Sequence, residues 1–431
     1  MAHASHHHDI EKPGKLELPK SFTTAAIVLT VIGVIAFAIG LLSEELVGRA
    51  WRAYVIGLWF TLGIALIGPF FAATQYLSKA GWSVGIRRIP EAFGAFIYPG
   101  IILFVVALLF GANTLFGWLD PAVFDPESAQ FDRIVAEKEG FLNITSLWLF
   151  TLIPLSVAAI LYFLMRKNSV DQDEEGGYKP MQKNLWISAF YIISFAVTVS
   201  FISWYWLMTY DPHWYSMMWS VHAFAGAFQA GLCLMTLILI YLLRKGLYGD
   251  VVGTEQVHRM GQLVFGFTVF YAYIHFSQFL LLWYANIPET AKWYVDRMSE
   301  GWGFFLLLIP LLRFIVPFVA LLRQSAKKNA KNILVFMCLL LIPMQAYETW
   351  LWVMPYWYGE GGLHAPMVPL LEIGVVLGFV GIFMLVVGRA LAAQNLVPLK
   401  DPLLAEAIPH SHDHLIYPNG KPGESGQDDD K

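Results

Sequence analysis

The ionisable side chains deepest inside the long apolar stretches of this chain gather in its second half: His222, His275, Arg313, Glu348 and Glu372. A charge in hydrocarbon is costly, so such groups face a bundle interior or a water-filled path and meet partners there. Their chemistries are complementary. An imidazole exchanges protons near neutral pH, a carboxylate accepts one, and an arginine stays protonated and so holds a carboxylate ionised or bars proton leakage. Helical spacing adds polar neighbours. His222, Ala225, Gly226 and Gln229 run down one face of their span; Tyr271, His275 and Gln278 share another, as do Gln345, Glu348 and Trp352.

The rise of a helix converts these positions into depth. His222, Gln278, Glu348 and Glu372 come about 9–11 Å from their span centres toward the same membrane surface, His275 comes about 6 Å, and Gln229 and Arg313 stay near the middle. A layer of imidazoles, carboxylates and amides with a cation beneath it reads as a proton relay. Arg313 would pair with Glu348 or Glu372, and Asp211 and His213 would lie at the mouth. Blander readings exist. A lone intramembrane histidine is often a packing residue, and an Arg–Glu pair can be a structural clamp. Two histidines on adjacent helices could also ligate a haem, although their unequal depths argue against it.

The elements that must carry these residues are transmembrane helices. Only 14% of the 431 residues are charged and 57% are hydrophobic, against roughly 25% charged in a soluble domain. The 16 Trp suit interfacial aromatic belts. The small net charge of −4 points to no nucleic acid. A span needs about 20 apolar residues, and ten such stretches occur, at 22–42, 51–77, 93–117, 143–165, 184–207, 217–243, 259–284, 302–322, 332–352 and 369–391. The expected fold is therefore an all-α polytopic membrane protein, with tails at 1–21 and 392–431 and two halves, 22–207 and 208–391. An even number of spans places both termini on one side. That side receives 21 of the 28 Lys and Arg, and the other only six, so the termini are expected in the cytoplasm.

Three loops on the opposite side stand out. Residues 118–142 are long and acidic, with a short helix expected near 127–139. Residues 285–301 resemble an interfacial amphipathic helix anchored by Trp293 and Tyr294, and residues 353–368 are rich in Gly, Tyr and Trp. They would serve as lids or as a docking floor for partners. In the last span, Gly374, Gly378 and Gly381 form a stripe for close helix contact, with Glu372 pointing away from it.

Other chemistry is not signalled. Cys233 and Cys338 lie in apolar stretches with no C-x-x-C or C-x-x-C-H, so no cysteine set exists for an iron–sulfur cluster or a covalent haem. No metal-ligating set or catalytic nucleophile is expected. The histidines at 3, 6, 7 and 8 and at 410, 412 and 414 read as solvated tails, and the polar start does not read as a cleaved signal peptide. Spans two to five carry Gln75, Asn113, Asn143 and several Ser and Thr, but no evident buried acid, base or imidazole of the kind quinol oxidation would need.

Three segments carry a resemblance: WSVGIRRIPEAFGAF at 82–96, DPHWYSMMWSVHAFAGAF at 211–228 and FSQFLLLWYANIPET at 276–290. They resemble the NrfD/polysulfide-reductase-C type membrane subunits, most closely the F subunit of alternative complex III, and the ten-span layout agrees. The resemblance implies two four-helix bundles, spans two to five and six to nine, flanked by spans one and ten. It implies a cofactor-free subunit in the bacterial inner membrane, within a complex that oxidises menaquinol. Electrons would pass to iron–sulfur clusters and c-type haems on the periplasmic side, then to a cytochrome c or a terminal oxidase. The implied partners are a homologous NrfD-like membrane subunit, an iron–sulfur/molybdopterin-like subunit, and multihaem and monohaem cytochrome c subunits, with lipid around them. In that setting the F subunit would shape a proton path and the sister subunit would hold the quinol. The expected role is thus a scaffold with a proton half-channel through His222, His275, Glu348 and Glu372, gated by Arg313 and helped by Gln229, Gln278 and Asp211. The competing readings are a second quinone-binding subunit, a passive scaffold, or an independent transporter. No inverted repeat with matched broken helices favours the last.

Overall fold

A computed structural model describes residues 14–299, 301–328, 332–355 and 369–408. Ten helices are long and apolar enough to cross a membrane, and no strand occurs among the described residues. They are α1 (Lys20–Leu41), α2 (Val47–Leu77), α3 (Arg88–Phe110), α4 (Ile144–Glu175), α5 (Tyr178–Met208), α6 (Met218–Arg244), α7 (Thr254–Ala285), α8 (Trp302–Leu321), α9 (Ile333–Val353) and α10 (Leu370–Ala392). The chain is an all-α polytopic membrane protein. Helices α2–α5 pack together, α6–α9 pack together, and α1 and α10 lie against each other on the flank of α2. The two halves are fused along α2, which contacts α5, α6, α9 and α10 and is 94% buried over its most apolar stretch.

The α1–α10 seam follows from small residues. A Cβ on Gly33 would lie 2.2 Å from the Gly378 Cα, and one on Gly381 would lie 2.5 Å from the Ala26 carbonyl. Backbones meet there because no side chain intervenes.

Helices α4 and α5 run beyond their apolar cores. The expected loop 166–183 is instead the continuation of both, turning at Gly176 and Gly177 with φ of 67° and 72°. The added residues include good helix formers in water, such as Lys167, Gln172 and Glu174, and hydropathy does not register helix that leaves the lipid. Glycine supplies the left-handed backbone at the turn without steric penalty. At the other end Asn143 caps α4, accepting from the Ser146 N–H at 2.8 Å.

The opposite-side loops are tied down. Residues 118–142 hold a one-turn α-helix, Arg133–Ala136, and short 3-10 turns at Gly117–Leu119 and Pro121–Val123. The connection from α7 to α8 contains a helix, Pro288–Met298, as expected, but Trp293 and Tyr294 are buried rather than exposed as lipid anchors. Trp293 stacks on Trp214 with ring centroids 5.4 Å apart. Arg297 donates to the carbonyls of Leu351 at 2.8 Å and Trp352 at 2.6 Å, which close the last turn of α9. A cation at a helix C-terminus satisfies carbonyls that lack partners, and here it fixes the helix end next to Glu348. Most of the 353–368 loop and both histidine-bearing tails lie outside the described residues.

Candidate functional site

Helices α6, α7, α8 and α9 converge on Glu348, whose side chain is fully buried. Its Oε2 accepts from Arg313 Nη1. Its Oε1 accepts from the Tyr271 hydroxyl and lies 2.9 Å from His222 Nε2. Arg313 spends every N–H. Nε donates to Gln229 Oε1 at 2.8 Å, Nη2 to the Gly226 carbonyl at 2.8 Å and to Gln345 Oε1 at 2.7 Å, and Nη1 to Glu348 and, more weakly, to the Met344 carbonyl at 3.5 Å. The guanidinium also lies 4.1 Å over the Tyr271 ring. Burying an unpaired cation at this depth would cost several kcal/mol; a full set of acceptors and one carboxylate offsets that cost.

The local backbone serves this geometry. Arg313 sits in a π-helical segment, Pro310–Ile315, inside α8. Pro317 has no N–H for the carbonyl four residues back, which is that of Arg313, and the Val316 N–H reaches back to Leu311 instead. The Gln229 amide donates to the Arg313 carbonyl at 3.4 Å. On α6, Gly226 lets the cluster close: a Cβ there would lie 2.5 Å from Gln345 Oε1 and 3.0 Å from Arg313 Nη2.

Hydrogen-bond counting places a proton in this cluster. His222 Nδ1 lies 2.9 Å from Gln278 Oε1, and His222 Nε2 lies between Glu348 Oε1 and His275 Nδ1, the latter at 3.2 Å. The approach of Nε2 to a carboxylate oxygen requires a proton between them. With Gln278 Oε1 accepting from Nδ1–H, that proton is an additional one, and the pair is imidazolium–carboxylate or imidazole–carboxylic acid. With the amide turned over, the neutral ring's own proton suffices. The orientation of Gln278 therefore selects the state of His222. His275 is the partly exposed member, its side chain 17% accessible. Glu348, His222 and His275 thus form one contiguous series of proton-exchanging groups, fully buried at Glu348 and partly accessible at His275.

The three ligand-type atoms of His222, His275 and Glu348 lie within 4.8 Å of one another, close enough to share a divalent cation. A dication there would stand beside the Arg313 charge in a low-dielectric interior, and the Tyr271 hydroxyl already occupies the same carboxylate oxygen. The hydrogen bonds account for the convergence.

Sequence reasoning is corrected at Glu372. It does not join the layer. Arg49 donates to it through Nε at 2.5 Å and Nη2 at 2.8 Å, a buried bidentate pair between α2 and α10. Arg313 therefore pairs with Glu348 alone of the two candidates. Depth cannot separate Glu348 from Glu372; only packing of α10 against α2 does. Asp211 and His213 lie on the loop before α6, beside a cavity of about 350 Å³ lined by Arg52, Trp118, Asp132 and Tyr210. His213 Nε2 lies 2.5 Å from Asp132 Oδ2. Burial pushes the Asp132 carboxyl up, but the Val135 and Ile134 N–H groups and His213 outweigh it and hold it below the ordinary range. From this loop the ring contacts Trp214–Trp219, 5.2 Å, and Trp219–His222, 6.1 Å, lead to the cluster, so its loop side is roofed by aromatic rings rather than by polar groups.

The first half is corrected too. Glu91 is fully buried near the start of α3. It accepts from Ser169 at 2.6 Å and Arg166 at 2.7 Å, with Arg88 and Tyr76 each at 3.4 Å. It lies outside the expected span 93–117, in which no buried acid is evident, because α3 starts five residues before that apolar run. The signal was present in RRIPEAF, where two arginines stand three and four residues before a carboxylate at a helix start. Tyr271 and Gln345, which helical spacing put on the faces of His275 and Glu348 without a role in the relay, both contact the cluster, Tyr271 at Glu348 and Gln345 at Arg313. No protein-family model matches this chain, and no curated protein sequence matches it.

Proposed function

We propose that this chain is a membrane subunit of a respiratory menaquinol oxidoreductase of the NrfD/polysulfide-reductase-C type, akin to the F subunit of alternative complex III. It would sit in the bacterial inner membrane with both termini cytoplasmic, scaffold periplasmic iron–sulfur and haem-bearing partners, and conduct protons. The observation that carries the proton role is the buried Glu348–His222–His275 series, locked on one side by Arg313 and partly exposed on the other at His275. Groups that can exchange protons in lipid and meet one another are functional by default. The resemblance of the segments at 82–96, 211–228 and 276–290 supplies the redox setting, and the excess of Lys and Arg supplies the orientation.

In this mechanism Arg313 keeps charge balance while Glu348 and His222 share the mobile proton, and Gln278 sets the direction in which His222 releases it. Glu348→Gln in the purified assembly, reconstituted in vesicles, should reduce proton movement coupled to quinol turnover, and Glu372→Gln should leave it intact. Equal proton movement in Glu348→Gln and wild type would remove the relay reading. Chains that co-purify in mild detergent, with their haem and iron content, test the assembly itself.

A second reading gains from Glu91, which gives the first bundle the buried acid that quinol chemistry needs. Photolabelling by a quinone analogue, mapped to peptides around Tyr76, Glu91 and Ser169, separates a quinone-binding subunit from a proton-conducting one.

A further inference from the structure

The groove between α3 and α4 has two unlike ends. One, a cavity of about 480 Å³, is lined only by Tyr98, Ala159, Ile160 and Phe163. The other, of about 370 Å³, shares Tyr98 and Phe163 and adds the charged side chains Arg166, Lys167 and Asp171. The shared residues make one elongated groove that begins in the apolar part of α4 and ends where that helix leaves the lipid. Tyr98 and Tyr162, with ring centroids 5.9 Å apart, stand at the transition, the level at which amphipathic rings mark a membrane boundary.

The charges at the polar end are arranged unusually. Lys167 and Asp171 are one helical turn apart, about 6 Å along the axis, a spacing that commonly gives an ion pair. Here neither side chain has an ion-pair or hydrogen-bond partner among the described residues, and they do not pair with each other. Arg166 gives Nη1 to Glu91 and Nη2 to the Ala390 carbonyl, which leaves Nε without a hydrogen-bond partner among the described residues beside Lys167.

We propose that this groove binds one molecule of an aminophospholipid. Its phosphate sits on Lys167 Nζ and Arg166 Nε, its ammonium on the Asp171 carboxylate, and one acyl chain lies along Phe163, Ile160 and Tyr98. A zwitterion matches the charge balance. Glu91 neutralises Arg166, and Lys167 and Asp171 oppose each other one turn apart, which is about the reach from the phosphate to the amine of an ethanolamine headgroup. An acidic lipid without an amine would set Asp171 against a second negative charge, and a quinone would leave both charges unmatched.

The test uses the full-length chain with its co-purifying partners, delipidated in detergent. Thermal unfolding is followed with added phosphatidylethanolamine, phosphatidylglycerol or a menaquinone analogue. Phosphatidylethanolamine should raise the midpoint by several degrees and the other two should not. Lys167→Ala should abolish the shift, and Asp171→Lys should transfer it to phosphatidylglycerol. Both positions are solvent-accessible on α4, so the variants keep the fold. The proposal is overturned if no lipid shifts the midpoint, if phosphatidylglycerol or the quinone analogue stabilises the wild type as well, or if Asp171→Lys leaves the preference unchanged.

Discussion

Gln229 holds Arg313 at both ends. Its Oε1 accepts from the guanidinium Nε at 2.8 Å, and its Nε2 donates to the Arg313 carbonyl at 3.4 Å. One amide on α6 thereby fixes both the charged head and the backbone of a residue in the distorted middle of α8. The guanidinium cannot swing away from Glu348 without breaking its bonds to Gln229, Gly226 and Gln345, so the cation is a fixed counter-charge, and in the proposed relay the mobile element is the proton on the imidazole side.

Removing that counter-charge should expose its role. Arg313→Leu leaves Glu348 buried without its cation and should cost about 3–5 kcal/mol. Arg313→Lys should recover little, because a single ammonium cannot span Gln229, Gly226, Gln345 and Glu348. The double change Arg313→Leu with Glu348→Leu should be markedly more stable than Arg313→Leu alone. Thermal unfolding in detergent checks this, and a single variant as stable as wild type would refute the fixed-counter-charge account.

Close approach at Gly226 is equally specific. Its added Cβ would meet Gln345 Oε1 at 2.5 Å, whereas one on Gly117 meets nothing within 4 Å. Gly226→Ala should therefore destabilise by about 1–3 kcal/mol and slow proton movement, and Gly117→Ala should do neither. Gly33→Ala, 2.2 Å from the Gly378 Cα, should destabilise as Gly226→Ala does but leave proton movement per folded molecule unchanged.

The Asp132–His213 contact predicts a pH response at the loops. The Asp132 carboxyl is held below its ordinary value: burial raises it, and the Val135 and Ile134 N–H groups and His213 prevail. A depressed carboxyl contributes stability that is present above its unfolded pKa and lost as pH falls through the folded one. Hydrogen-exchange protection in residues 118–142, taken relative to the intrinsic rate at each pH, should thus be high at neutral pH and fall only on acidification below the usual aspartate range. Asp132→Asn should abolish this acid-side step; a step that persists unchanged in that variant would refute the assignment.

Ten spans were legible because each needs only a run of apolar residues, and Glu348 with His222, His275 and Arg313 because lipid makes every buried ionisable group conspicuous. Three things were not legible. The long ends of α4 and α5 carry polar residues that continue a helix outside the membrane, where hydropathy has no reason to mark them. Glu372 and Glu348 have similar depth, and nothing local tells which will meet Arg49 and which Arg313. Glu91 lay just outside its apolar run, among arginines that made it look like surface charge while in fact allowing its burial.

Two of the buried ion pairs close very long loops. Arg49 meets Glu372 across 323 residues and Arg87 meets Asp401 across 314. At about 5–20 residues per second of synthesis, each arginine is made roughly 15–65 seconds before its carboxylate exists. During biogenesis the first half of this chain must therefore wait with uncompensated cations, held by the insertion machinery or by water, until the last helix and the segment after it arrive to complete it.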